Sequence, residues 1–294
     1  MPYQIFIDSS SGMSKELREK YHIDYFRMGL NINGEDKLAD LDFVEFSREQ
    51  MFDWVRDPKV VIKTSLVTPV EFESKMEKYL KKGIDILYIA CADALSGTRQ
   101  AFELFKEELL EKYPERKIIS VNSARAEAAL SLMAMEASRL QDQGKSLEEV
   151  AQYVEDNKQY YHETGSVDTL KYLRMYGRVS GAAAFFADTL NIKPVIIFDI
   201  HGHNYTMKKV RGEKKAMEEC FNYIKAHVVE GVTDVIYLGE TVPVPALDYL
   251  YKRITEELHI PVEKYYIGPI VSVCCGPGMY GCWFKGDLVT VEAK

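Results

Sequence analysis

Two short hydroxyl-bearing segments stand where apolar, strand-like runs end. Thr64-Ser65 closes the run 59–64 (KVVIKT), and Ser96-Gly97-Thr98 follows the run 84–90 (IDILYIA). In open α/β sheets ligands bind outside the carboxyl ends of the strands, so both positions are candidates for contact with a ligand. Ser96 falls at a predicted helix N-cap, where free backbone N–H groups and the helix dipole favour an anion. Gly97 beside it has no β-carbon to hold a ligand away from the backbone. Thr64 and Ser96 together could hold a carboxylate or a phosphate through neutral donors. Each taken singly is better explained as an ordinary helix cap, so this signal alone is weak.

A cationic candidate lies further along. The segment Tyr176-Gly177-Arg178-Val179-Ser180 sets an arginine between a glycine turn and an apolar stretch over 182–190, with no acidic neighbour in sequence. Arginine is the planar donor suited to an oxyanion. A turn arginine exposed to solvent or paired with a remote carboxylate has the same local pattern. The stretch 182–190 could line a pocket or form a core helix.

The remaining reactive residue types give less direction. Cysteines stand at 91, 220, 274, 275 and 282, an odd number at low density, which argues for reduced thiols rather than a disulfide framework. A metal site drawn from these thiols with His201 and His203 matches no closed zinc spacing, so no metal is expected. Gly276 and Gly278 read as a tight turn near a binding cleft. Asp8, after the first strand, could be an acid, a ligand or a cap for the Ser-rich turn, with capping the default. No Walker A run, dinucleotide fingerprint, zincin helix or nucleophile elbow is present. Catalysis is not supported by these residues.

The elements that must position the candidates follow from the periodicity. Strand-like runs at 3–7, 59–64, 84–90 and 117–121 alternate with helical spacing, as at Phe72, Met76, Tyr79 and Leu80 or Phe102, Phe105 and Leu109. Such alternation with short links predicts right-handed βαβ units. Residues 1–160 are therefore expected to form a three-layer α/β/α domain with a parallel sheet. Residues 161–294 carry more strands than crossover helices, which predicts a two-layer α/β domain with a mixed sheet.

Thirty-seven basic against 45 acidic residues leave a net charge of −8, and no basic face for a nucleic-acid backbone is expected. No apolar run reaches the roughly 18 residues of a membrane span. The start, MPYQIFIDSSSG, reads as a strand rather than a signal peptide, so a cytoplasmic protein without stable membrane insertion is expected.

Taken together, FIDSSSGMSKEL (6–17), TSLVTPVEF (64–72), LSGTRQA (95–101), VDTLKYLRMYGRVSGA (167–182), LNIKPVIIFD (190–199), KVRGEKKAM (209–217) and GPGMYGCWF (276–284) resemble the DegV family of bacterial fatty-acid-binding proteins. The resemblance implies a two-domain, non-enzymatic carrier with a long-chain fatty acid (palmitate-, stearate- or oleate-like) in a tunnel at the domain junction, and no other cofactor. It implies that Thr64, with Ser65 beside it, and Ser96, with Gly97, bind the carboxylate, that Arg178 lies at or near the headgroup, and that the acid is presented to a separate fatty acid kinase subunit. The chain departs from the family pattern at Leu66 and Val67, where Gln and Pro are common, at Ala92 and Asp93, where serines are common, and at Cys274, where many members carry a histidine at the headgroup. A carrier of another amphiphilic lipid, or an enzyme acting on an acyl or phosphorylated small molecule, are the alternative readings.

Overall fold

A computed structural model describes residues 2–179 and 191–292. The stretch 182–190, read above as a pocket-lining or core helix, lies outside the described residues. The chain divides into two compact units between Lys158 and Gln159.

The first unit runs β1 (Tyr3–Asp8), α1 (Lys15–Lys20), β2 (Ile23–Phe26), β3 (Gly29–Ile32), β4 (Glu35–Leu38), α2 (Arg48–Arg56), β5 (Ile62–Ser65) and α3 (Pro69–Leu80). It continues with β6 (Asp85–Ala90), α4 (Thr98–Lys112), β7 (Ile118–Asn122), α5 (Glu127–Asp142) and α6 (Leu147–Asn157). Four strands form an all-parallel sheet in the order β2-β1-β6-β7. Alternation along the strands sends Phe6, Phe26 and Tyr88 to one face, where they meet Phe72 of α3 and Phe102 of α4 in edge-on and stacked ring pairs. Ile5, Ile7, Leu87 and Ile89 point the other way and are at most 1% exposed, on the side where α5 and α6 pack. A sheet covered on both faces gives the three layers.

Thr64 sits elsewhere than expected. The run 59–64 is not a member of the parallel sheet: β5 pairs antiparallel with β3 in a separate small sheet, ordered β4-β3-β5. The cause is local. Asn33 and Gly34, both at positive φ (54° and 92°), close a two-residue hairpin between β3 and β4, and Asn-Gly is the preferred pair for that turn. The hairpin supplies β3 as a neighbour for β5.

The second unit comprises β8 (Tyr161–Ser166), α7 (Lys171–Met175), β9 (Ile192–Phe198), β10 (Asn204–Arg211), α8 (Glu213–His227), β11 (Ile236–Glu240), α9 (Pro245–Arg253), β12 (Val262–Tyr266), α10 (Pro269–Cys275) and β13 (Tyr280–Lys285). Its sheet is mixed, ordered β10-β9-β8-β13-β11-β12, with only β11 and β12 parallel. Cys220, Phe221 and Ile224 of α8 and Leu250 of α9 share one core with Val195, Ile197, Leu238 and Phe284 of the sheet. The central strand β8 is buried throughout although its sequence is YHETGS. Two of its polar side chains find partners remote in sequence: Trp283 Nε1 donates to the Glu163 carboxylate at 2.6 Å, and His162 Nδ1 bonds the Tyr223 hydroxyl at 2.9 Å.

Candidate functional site

In the order β2-β1-β6-β7 the chain leaves β1 toward one edge of the sheet and β6 toward the other. That reversal opens a crevice at the carboxyl ends of β1 and β6, the usual place for a ligand in an open parallel sheet. β1 ends at Asp8, and the loop after it holds Ser9, Ser10 and Ser11; all four are buried. Asp8 Oδ1 accepts from the Ser10 amide (3.0 Å) and hydroxyl (2.5 Å), and Oδ2 accepts from the Tyr88 hydroxyl (2.7 Å) and the Cys91 amide (2.9 Å). Four donors occupy the carboxylate, which thereby ties the loop after β1 to the loop after β6. This is the capping role. Burial, reinforced by the adjoining Asp8 charge, pushes the Tyr88 phenol well above its ordinary range. Ser9 Oγ accepts from the Met28 amide at 2.9 Å. The Ser11 hydroxyl is buried at this crevice with no hydrogen-bond partner, and a buried polar group left in that state asks for a water or a ligand atom. It escaped the reading of the sequence because a serine in a Ser-Ser-Ser turn carries no signal of its own.

The loop after β6 carries Ser96. Its amide donates to Ala92 O at 3.0 Å, and its hydroxyl shares a 2.9 Å hydrogen bond with the Thr98 hydroxyl. The N-cap of α4 is Gly97 rather than Ser96, a correction of one position. Ser96 Oγ nonetheless accepts the amide of Thr98, the first helical residue, at 3.3 Å. The first turn of α4 has no acidic side chain, so its remaining N–H groups keep their positive end uncompensated by a carboxylate. Ser96 and Thr98 are 7% and 1% exposed, so both hydroxyls lie close against the protein.

Thr64 pairs with Leu30 across β5 and β3, half-buried, while Ser65 is exposed. The next residue, Leu66, reaches across: its Cδ2 lies 3.8 Å from the position a β-carbon on Gly97 would take. The Thr-Ser-Leu and Ser-Gly-Thr segments are therefore neighbours, although Thr64 reaches that place from an antiparallel strand. Asp93, three residues before Ser96, is matched locally: Arg99 Nε donates to Oδ1 at 2.9 Å and Nη2 to Oδ2 at 2.5 Å. This two-pronged pair neutralises a charge that would otherwise repel an anion at the same loop.

Arg178 and Cys274 belong to the second unit. Gly177 turns the chain at positive φ (66°); the Arg178 amide then donates to Leu173 O at 2.8 Å, and Nη1 to Tyr176 O at 2.5 Å. Asn204 Nδ2 holds the Arg178 carbonyl at 2.9 Å. Cys274, partly buried on α10, has its thiol pushed up to about 12 by desolvation, with the Arg178 cation pulling the other way. The structure thus brings Arg178 and Cys274 into one neighbourhood and leaves Cys274 a neutral thiol. The turn after α10 is a packing feature: Gly276, at φ 76°, leaves no room for a β-carbon against the Tyr172 ring. Nearby, Val167, Leu173, Ile196, Cys275 and Met279, with Ser166 and Asn204, pack around a cavity of only about 10 Å³. None of the five cysteines is in a disulfide. His203 turns its Nδ1 to Asp199 and His201 its Nε2 to Glu292, so neither imidazole joins a thiol cluster among the described residues.

No helix among the described residues is long and apolar enough to cross a membrane. The sequence model of the family described as "Uncharacterised protein, DegV family" matches residues 2–286. A DegV domain-containing protein of Clostridium perfringens is 30% identical over 288 residues, 97% of this chain and 98% of its own length. A DegV family protein from Thermus thermophilus whose structure concerns fatty acid binding superposes with a TM-score of 0.85 at 26% identity, covering 98% of this chain and all of that one. A fatty-acid-binding DegV family protein from Streptococcus agalactiae shares the fold, with a TM-score of 0.86 at 20% identity over 98% of this chain and 99% of its own. The matching motifs, the two α/β units and the full-length alignments lead to one assignment: this chain belongs to the DegV family.

Proposed function

We propose that this protein binds a long-chain fatty acid, with Thr64, Ser65, Ser96 and Gly97 forming the carboxylate end of the site, and carries the acid rather than transforming it. The observation that carries the reading is the apposition of the Thr-Ser-Leu and Ser-Gly-Thr segments beside the carboxyl ends of the parallel strands. Hydroxyls and helix N–H groups offer neutral donors there, and the carboxylates of Asp8 and Asp93 are already engaged. Such a site suits a single carboxylate in a protein of net charge −8. Membership of the family suggests Arg178 as a cation for the headgroup, and Cys274, a neutral thiol in the same neighbourhood as Arg178, stands where many members carry an imidazole.

The energetics divide the work. About 14 methylenes of a C16 acid, at roughly 0.8 kcal/mol each, give on the order of 11 kcal/mol of gross burial. A hydrogen bond to a charged group adds about 1.5–3 kcal/mol. The acyl tail therefore supplies most of the affinity and the hydroxyls orient it. In the nucleophile reading, Ser96 would need an activating base; its hydroxyl bonds Thr98 instead. Delivery to a separate fatty acid kinase is the role that membership of the family suggests for the loaded protein.

The test is extraction and mass spectrometry of whatever accompanies the gently purified protein. Free fatty acid at about one per chain is expected. A different lipid class, or a phosphorylated small molecule in its place, overturns the reading.

A further inference from the structure

The second unit holds a cluster of ligating groups that includes no residue assigned to the fatty acid. His162 lies on β8, His227 is the last residue of α8, and Asp287 follows β13. The donor atoms of all three lie within 4.8 Å of one another. His227 Nδ1 is 2.9 Å and His162 Nε2 3.2 Å from the same carboxylate oxygen, Asp287 Oδ1. Two imidazoles thus converge on one oxygen.

We propose that His162, His227 and Asp287 form a binding site for a divalent cation of the zinc type, three protein ligands with a fourth position open to water. Zinc bonds to nitrogen and carboxylate oxygen of about 2.0–2.2 Å place neighbouring tetrahedral ligands roughly 3.3 Å apart. The two carboxylate–imidazole separations fall near that value, so the cation requires small side-chain shifts and no rearrangement of the backbone. Two nitrogens and one oxygen are a donor set of intermediate softness, suited to zinc or cobalt and poor for calcium or magnesium. The His227 and Asp287 side chains are 32% and 46% exposed, which gives the ion an entry path, whereas His162 is fully buried.

The surroundings are those of a built site. The Tyr223 hydroxyl lies 2.9 Å from His162 Nδ1 and can accept the ring proton there, leaving Nε2 free to ligate. Phe284 stacks on the His162 ring at 5.0 Å and 7°. The Asp287 amide donates to the His227 carbonyl at 3.1 Å, and the Gly286 amide to Tyr160 O at 2.8 Å. A β-carbon on Gly286 would lie 2.2 Å from that His227 carbonyl and 3.2 Å from His162 Cδ2, so only glycine lets β13 lead into Asp287 along this path. In the metal-free arrangement the Asp287 carbonyl, 2.9 Å from His162 Nε2, accepts the proton that the tautomer shift would move to Nδ1.

The full chain, stripped with chelator, is titrated with Zn²⁺ by calorimetry at about pH 7.5, where unperturbed imidazoles are neutral, and with Co²⁺ by visible absorption. One ion per chain is expected, with the intense bands of four-coordinate cobalt. His227→Ala and Asp287→Asn, both at solvent-accessible positions, should each abolish that stoichiometric uptake, and Tyr223→Phe should weaken it about 10-fold or more. Cys274→Ser should leave it unchanged. Absence of saturable uptake by the wild-type chain overturns the proposal, as does uptake that His227→Ala leaves intact. The fatty-acid content is read separately and does not enter either outcome.

Discussion

Leu66 Cδ2 lies 3.8 Å from the point that a β-carbon on Gly97 would occupy. That distance is ordinary contact, and Gly97 has an ordinary φ of −79°. Gly97→Ala should therefore cost little beyond the change of N-cap type, about 1 kcal/mol or less in a urea unfolding titration. Gly97→Leu, by contrast, would push the Thr-Ser-Leu segment aside. Its fatty-acid affinity, read by displacement of a fluorescent analogue, should fall much further than its stability. Equal affinity in the Leu and Ala variants would show that the apposition is irrelevant to binding.

Removal of individual headgroup donors gives a second prediction. Thr64→Ala, Ser96→Ala and Arg178→Ala should each weaken fatty-acid binding by about 1.5–3 kcal/mol, or roughly 10- to 100-fold. Because the tail supplies most of the affinity, none should abolish it. If calorimetry finds wild-type affinity in all three, the headgroup assignment is wrong.

The Asp93–Arg99 pair makes a third. Its members are 23% and 25% exposed, so the coupling between them should be near 1 kcal/mol in a double-mutant cycle. Arg99→Ala frees a carboxylate on the Ser96 loop and should weaken carboxylate binding more than it lowers the melting temperature. Adding Asp93→Asn to that variant should restore affinity, an outcome that simple loosening of the loop would not produce.

A fourth concerns acid. Burial pushes the Asp24 carboxyl up, but the hydrogen bond from Lys78, the charge of Lys75 and the Tyr25 amide outweigh it and hold the group below its ordinary value. A carboxylate lowered on folding contributes stability above its unfolded value near 3.9, and that contribution is lost as pH falls through the folded value. Lys78→Ala should therefore destabilise the protein in urea at neutral pH, with a penalty that shrinks toward zero once Asp24 is protonated in both variants. A penalty that stays constant down to strongly acidic pH would mean that Lys78 acts through packing alone.

The first unit was the more legible of the two because its signals are apolar and periodic. Phe72, Met76 and Leu80, like Phe102, Phe105 and Leu109, are buried at the spacing that revealed their helices, and the parallel sheet follows from the order of elements. Thr64 was placed on the wrong kind of strand because 59–64 has the composition of any short β run. Its partner is selected by the Asn33-Gly34 hairpin, a signal that lies upstream of the run and outside it. In the second unit β8 carries no apolar alternation to mark it as a strand, since His162, Glu163, Thr164 and Ser166 are all polar. The Tyr223 and Trp283 groups that make burial tolerable for His162 and Glu163 lie 61 and 120 residues away. Motif reasoning reached Ser96 and Arg178, since hydroxyl and guanidinium announce themselves locally. It could not reach Ser11, whose lack of a partner exists only in three dimensions.

The Trp283–Glu163 bond makes the second unit optically distinct from the first. The chain has two tryptophans, Trp54 on α2, partly buried beside Phe46, and Trp283 on β13, fully buried with its indole N–H on a carboxylate. A sheltered indole emits at shorter wavelength than one in contact with water, and the two report on different sides of the Lys158–Gln159 boundary. Single-tryptophan variants would give each unit its own unfolding trace, and the colour shift on adding ligand would show which half of the molecule responds first.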